Sequence, residues 1–151
     1  MFVSGGFKLI DAKNYLLQVE MLDVKIKNKL IERQQWRDVA LGITASIGDE
    51  KVQSSGSQQK MANAVIKCVD METEIDSLID ELVNTKKKVI ATIEKLYSPI
   101  EYDILHKRYI QSMTLEAISD SYKRTYTWAT TLHGRALKNL QNILDEQNLT
   151  R

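Results

Sequence analysis

Proline occurs once in the 151 residues, cysteine once, histidine twice and glycine six times. Each scarcity removes a class of reading. With Pro99 alone and so few glycines, long regular segments go uninterrupted. The lone Cys68 excludes an internal disulfide and agrees with a reducing cytoplasm. His106 and His133 have no Cys, His or carboxylate partner at helical ligand spacing, so no metal is expected. There is no Gly-rich phosphate loop and no nucleophile elbow. The expectation is therefore no enzyme, no catalytic residue and no cofactor. No apolar run is long enough to span a bilayer. Met1–Gly6 lacks the basic and apolar regions of a signal peptide, and residues 1–7 read as a short disordered lead. The expected location is cytoplasmic. Charge is also nearly balanced, with 21 Lys and Arg against 20 Asp and Glu. That total counts mildly against nucleic-acid binding.

What the chain has is helical periodicity, with 43% apolar residues to bury. From Lys8 to about Leu41, Tyr15, Val19, Leu22, Ile26 and Leu30 form a stripe. Leu16, Leu17, Met21 and Val24 widen it, and Trp36 near the end is placed to anchor a neighbour or meet a partner. A loop is expected near 42–57, where Gly48, Asp49 and Ser54–Ser57 cluster. From Gln58 to Tyr97 the seam Met61, Val65, Cys68, Glu72, Ile75, Ile79, Leu82, Lys86, Val89, Ile93 and Leu96 keeps steps of four and three. A heptad seam predicts a left-handed coiled coil, and its polar members Glu72 and Lys86 can set register or partner number. Residues 8–97 thus read as a long, coiled-coil-like helical hairpin. Its second helix (58–97) outruns the first, which leaves seam for a homodimer or for the C-terminal helices to cover. Lys86–Lys88 reads as solvated surface.

Residues 98–146 change character. Ser98 can cap a helix with Pro99 at its first position, and Glu101 can complete a capping box. Thr114 and Thr125 can cap two further helices. Leu115, Ile118 and Tyr122 mark one face of the second helix. Ala129, Leu132, Ala136 and Leu140 mark one face of the third. Two helices joined by so short a link, Lys123–Arg124, must cross steeply to bring those faces together. That is a helix-turn-helix, with the outer side of its second helix free to enter a major groove. Cations gather locally here as Lys107, Arg108, Lys123, Arg124, Arg135 and Lys138. Local charge is what a phosphate feels, since screening sets in beyond ~8 Å at physiological salt. A helix-interior Gly134 costs about 1 kcal/mol relative to Ala. Its reason is either close approach to a DNA phosphate or tight helix packing.

Pro99, Leu105, Arg108-Tyr109, Thr114-Leu115-Glu116, Ile118, Thr125, Leu132 and Ala136-Leu137 resemble region four of sigma-70-type transcription factors. The segment Leu132-His133-Gly134-Arg135-Ala136-Leu137, behind a long amphipathic half, is similar to the ArpU-type late transcription regulators of phages and prophages. That resemblance implies base reading by Tyr126, Thr127, Trp128, Thr130 and Thr131. It also implies a sequence-specific, sigma-like regulator working on double-stranded DNA with bacterial RNA polymerase. Lys123, Arg124, Arg135 and Lys138 suit phosphate contacts. Trp128 has a second reading, as a core plug beside Leu132. The expected fold is all-α: a helical hairpin, then a trihelical sigma-70 region 4-like helix-turn-helix domain. Two other classes stay open: a small-terminase-like component of phage DNA packaging, and a non-enzymatic protein-interaction module.

Overall fold

The computed structural model describes residues 11–42 and 55–149. The expected lead (1–7) and most of the expected loop lie outside them. Among the described residues the fold is all-α, with no strand. The elements are α1 (Ala12–Ala40), α2 (Ser55–Ile93), α3 (Pro99–Leu105), a π segment (His106–Ile110), α4 (Leu115–Ser121) and α5 (Tyr126–Leu149). None of the described helices is long and apolar enough to cross a membrane. α2 begins ahead of the expected Gln58, so Ser55–Ser57 form its first turn, and it ends at Ile93.

The chain divides into two compact units, one of residues 22–82 and one joining the stretch up to Met21 with Val83 onward. The division falls inside both long helices. In the 22–82 unit, α1 and α2 run antiparallel. Lys29 Nζ lies 3.2 Å from Glu74 Oε1, and Cys68 Sγ donates to the Arg33 carbonyl at 3.8 Å. Met61 lies beside Gly42. Gly42 follows the last turn of α1 with φ +73°, the left-handed geometry that glycine adopts without a Cβ clash. Glu74 holds the Lys29 ammonium above its usual pKa, through a hydrogen bond and its charge.

The seam of α2 differs from the expected one. Ala64, Met71, Ile75 and Leu78 are buried in this unit, with Cys68 and Leu82 half-buried. Val65, Glu72 and Ile79 are exposed. The expected seam shares one heptad column, containing Cys68, Ile75 and Leu82, with the buried one. Its other column is shifted by one residue, a rotation of about 100°. The physical reason is that α2 is apolar across both columns, so spacing alone could not say which side meets α1. α1 is similarly broad. Ile26 is buried, while Val24, Leu30, Ile31 and Trp36 are exposed.

In the other unit, α5 packs on α3 and α4. Ile104, Leu105, Ile118, Ala129, Leu132, Ala136 and Leu140 are buried, so the apolar face read for α5 is its inward face. The start of α1 joins this core through Leu16 and Val19. Its Ala12 N–H donates to Gln141 Oε1 at 2.7 Å, which satisfies one helix-start amide. Tyr15 Oη and Thr92 Oγ1 are hydrogen-bonded at 2.8 Å, fixing α1 to the end of α2.

Candidate nucleic-acid interface

Three caps set where α3, α4 and α5 begin. Ser98 Oγ accepts from the Glu101 N–H (3.4 Å), Thr114 Oγ1 from Ala117 N–H (3.1 Å) and Thr125 Oγ1 from Trp128 N–H (3.1 Å). The capping box at Ser98 is only half made. The Glu101 side chain is buried and its carboxylate accepts from Asn139 Nδ2 of α5 at 2.6 Å. A charge buried so deeply needs a donor, and α5 supplies one where the Ser98 amide would have.

The link from α4 to α5 is a Schellman turn. The Lys123 N–H donates to the Asp120 carbonyl (3.1 Å), and the Arg124 N–H to the Ser119 carbonyl (2.9 Å). Lys123 has φ +56°, in the left-handed region, although it carries a Cβ. Tyr122, the last residue before the turn, ties the elements together. Its hydroxyl donates to Asp103 of α3, whose carboxylate also holds Lys107 Nζ at 2.7 Å. The Tyr122 ring meets Trp128 of α5 at 5.3 Å between centroids. This tilted ring contact holds the end of α4 against the start of α5.

Thr127, Thr131, Gly134, Arg135 and Lys138 share the outward face of α5, and all are exposed. Beside them lies an open groove of about 330 Å³, lined by Thr125, Thr127, Trp128, Thr131, Leu132 and Arg135. Trp128 is half-buried, against Tyr122 on one side and under the Arg124 guanidinium, 5.7 Å from the ring centroid. Thr130 stands at the edge of the face, half-buried, with its hydroxyl donating to the Thr127 carbonyl at 2.9 Å. Tyr126 is exposed but lies apart. It lines a separate groove with Glu20, Arg108, Ser112, Thr114, Leu115 and Glu116. The fold thus brings together Thr127, Trp128, Thr131 and Arg135 and sets Tyr126 elsewhere.

Lys123, Arg124, Arg135 and Lys138 are exposed, and none forms an ion pair with another described residue. They are thus exposed cations without a direct carboxylate contact among the described residues, which the balanced total conceals. Gly134 has nothing within 4 Å of where a Cβ would stand. Tight helix packing therefore does not explain it.

Sequence patterning missed one pair behind this face. Tyr109, at the end of the π segment, stacks on His133 of α5, with Oη and Nε2 hydrogen-bonded at 2.8 Å. Burial pushes the His133 pKa down, and the cations Arg108 and Lys13 add to that. Burial pushes the Tyr109 phenol up; nearby Arg108 opposes this, while Glu20 and Asp11 reinforce it. Only the aromatic character of two residues far apart in sequence signalled this pair. His106 bonds Gln111 Nε2 through Nδ1 at 2.8 Å. Among the described residues no cluster of His, Cys, Asp and Glu could hold a metal ion.

Compared with known proteins, the chain matches no protein-family model, no curated protein and no solved structure.

Proposed function

We propose that this chain is a non-enzymatic, sequence-specific DNA-binding transcription regulator of phage or prophage type, acting in the cytoplasm. In this reading α3 to α5 form a sigma-70 region 4-like helix-turn-helix and α1 with α2 a helical hairpin. The observation that carries it is the outward face of α5, with small polar Thr127 and Thr131 flanked by exposed Arg135 and Lys138, which form no ion pair with a described residue. A helix about 10–12 Å across fits a major groove of about 12 Å. Thr hydroxyls donate to or accept from base edges, and their methyls meet thymine methyls. Arg135 and Lys138 would hold phosphates on one side of the groove. Lys123 and Arg124, at the turn, would hold them on the other.

Trp128 supports this arrangement from beneath. Its ring holds the Arg124 guanidinium at the groove edge, a contact of about 0.5–1 kcal/mol at an exposed site. Gly134 would let the α5 backbone come close to a phosphate, since no Cβ intervenes. Tyr126 would reach the DNA from the start of α5, from its own groove. Bacterial RNA polymerase is the proposed protein partner, on the resemblance of the C-terminal residues to region four of sigma factors.

Selection of bound duplexes from a random DNA pool tests the reading. A short enriched consensus is expected, and its enrichment should vanish with Thr127→Ala and Thr131→Ala together. A pool that stays random, although the protein is folded, would reject sequence-specific binding. Enrichment that survives the double substitution would reject the assigned face.

A further inference from the structure

We propose that the groove beside Tyr126, at the start of α5, binds a free basic α-amino acid of the lysine type. The inference goes beyond DNA binding, and its test needs no DNA.

This groove holds about 480 Å³, within the ~300–1,000 Å³ common for small-molecule sites. Its lining includes Glu20, Arg108, Ser112, Leu115, Glu116 and Tyr126, all in the same compact unit. One cation and two carboxylates therefore border one space. Yet none of the three forms an ion pair with a described residue. The fold keeps them apart. Glu20 stands on α1, Arg108 in the π segment and Glu116 in the first turn of α4. Arg108 is half-buried, with its guanidinium carbon 5.3 Å from the Tyr109 ring centroid, so it is not free to swing across. Two uncommon backbone features meet at the same place. Arg108 belongs to a π segment, and Ser112 has φ +59° although it carries a Cβ. Such departures gather where a ligand is held.

The separated charges define what fits between them. A guanidinium takes a carboxylate through two parallel hydrogen bonds. Each carboxylate takes an ammonium. The complement of Arg108, Glu20 and Glu116 is thus one carboxylate and two amino groups, the charge set of free lysine. The excess negative charge of the lining disfavours a phosphate. Half-buried Leu115 and the Tyr126 ring offer apolar surface to the methylene chain between the ligand's charges. A single ion pair this open to water is weak. Binding therefore needs all three charges together, which separates lysine from amino acids with an uncharged side chain.

The test is an NMR titration of the full chain without DNA, at constant ionic strength. The probes are L-lysine, L-lysine amide, which lacks the carboxylate, and L-norleucine, which lacks the side-chain amine. L-lysine should give saturable shifts of the Ser112, Leu115 and Tyr126 amides. Each of the other two should bind roughly fivefold more weakly, the loss of one exposed ion pair. Glu20→Gln with Glu116→Gln should abolish the preference for L-lysine over L-norleucine while the rest of the spectrum stays in place. Arg108→Gln should abolish the preference over the amide. The two glutamates are exposed, so their variant decides the matter even if Arg108→Gln disturbs the fold. Shifts that never saturate, equal binding of L-lysine and L-norleucine, or undiminished L-lysine affinity in the double glutamine variant would overturn the site.

Discussion

Lys123 holds the turn between α4 and α5 in a left-handed conformation, with φ +56°. A Cβ there costs roughly 1–2 kcal/mol relative to glycine. Lys123→Gly should therefore raise the thermal midpoint and lower DNA affinity, because the strained residue is also a cation beside the groove. Equal affinity for the two proteins would remove Lys123 from the contact set. Gly134 is the converse case. It lies on an exposed helical face with open space at its Cβ position, so Gly134→Ala should stabilise the fold by about 1 kcal/mol. If the α5 backbone approaches a phosphate there, the same variant should bind DNA more weakly. His133 gives a pH signature. Burial and nearby Arg108 and Lys13 disfavour its proton in the folded state, against an ordinary value of 6.5. The unfolded chain then binds more protons, so stability falls as pH drops below about 6.5 and levels off below the depressed folded value. Chemical denaturation across that range should show the decline, and His133→Gln, which keeps an acceptor for Tyr109, should flatten it.

The helices of the C-terminal unit owe their starts to caps, and the caps were legible. Ser98, Thr114 and Thr125 act on amides three residues ahead, so local sequence contains the whole interaction. Thr125→Ala should cost ~1 kcal/mol and orphan the Trp128 N–H, detectable as a lower urea midpoint. The inward face of α5 was legible for a related reason, since Ala129, Leu132, Ala136 and Leu140 make a narrow stripe with a single solution. Where apolar residues spread wider, periodicity is ambiguous, and in α2 one of the two expected columns lies one residue to the side of the buried one. Glu101 shows a different limit. Its helix position suited a capping box, yet Asn139 lies 38 residues away and captures the carboxylate. The Tyr109–His133 pair and the π segment that positions Tyr109 are likewise long-range outcomes. Within the candidate site, the outward placement of Thr127, Thr131, Arg135 and Lys138 follows from the inward stripe. The separation of Tyr126 into another groove does not, because it depends on how α4 and the π segment close around the start of α5.

For the molecule as a whole, a net charge of +1 gives little general attraction to nucleic acid. In the proposed function, affinity comes from the few cations around α5 that form no ion pair with a described residue, so it should be strongly local and strongly salt-dependent. The most direct measurement is the salt dependence of binding to a selected duplex, for the native chain and for Arg135→Ala with Lys138→Ala. Each lost phosphate contact lowers the slope of log K against log salt by ~0.9. The double variant should therefore bind more weakly, with a slope shallower by about 2, while its thermal midpoint stays unchanged. An unchanged affinity and slope, or no binding by the native chain even at low salt, would contradict the assignment of α5 as a DNA-reading helix.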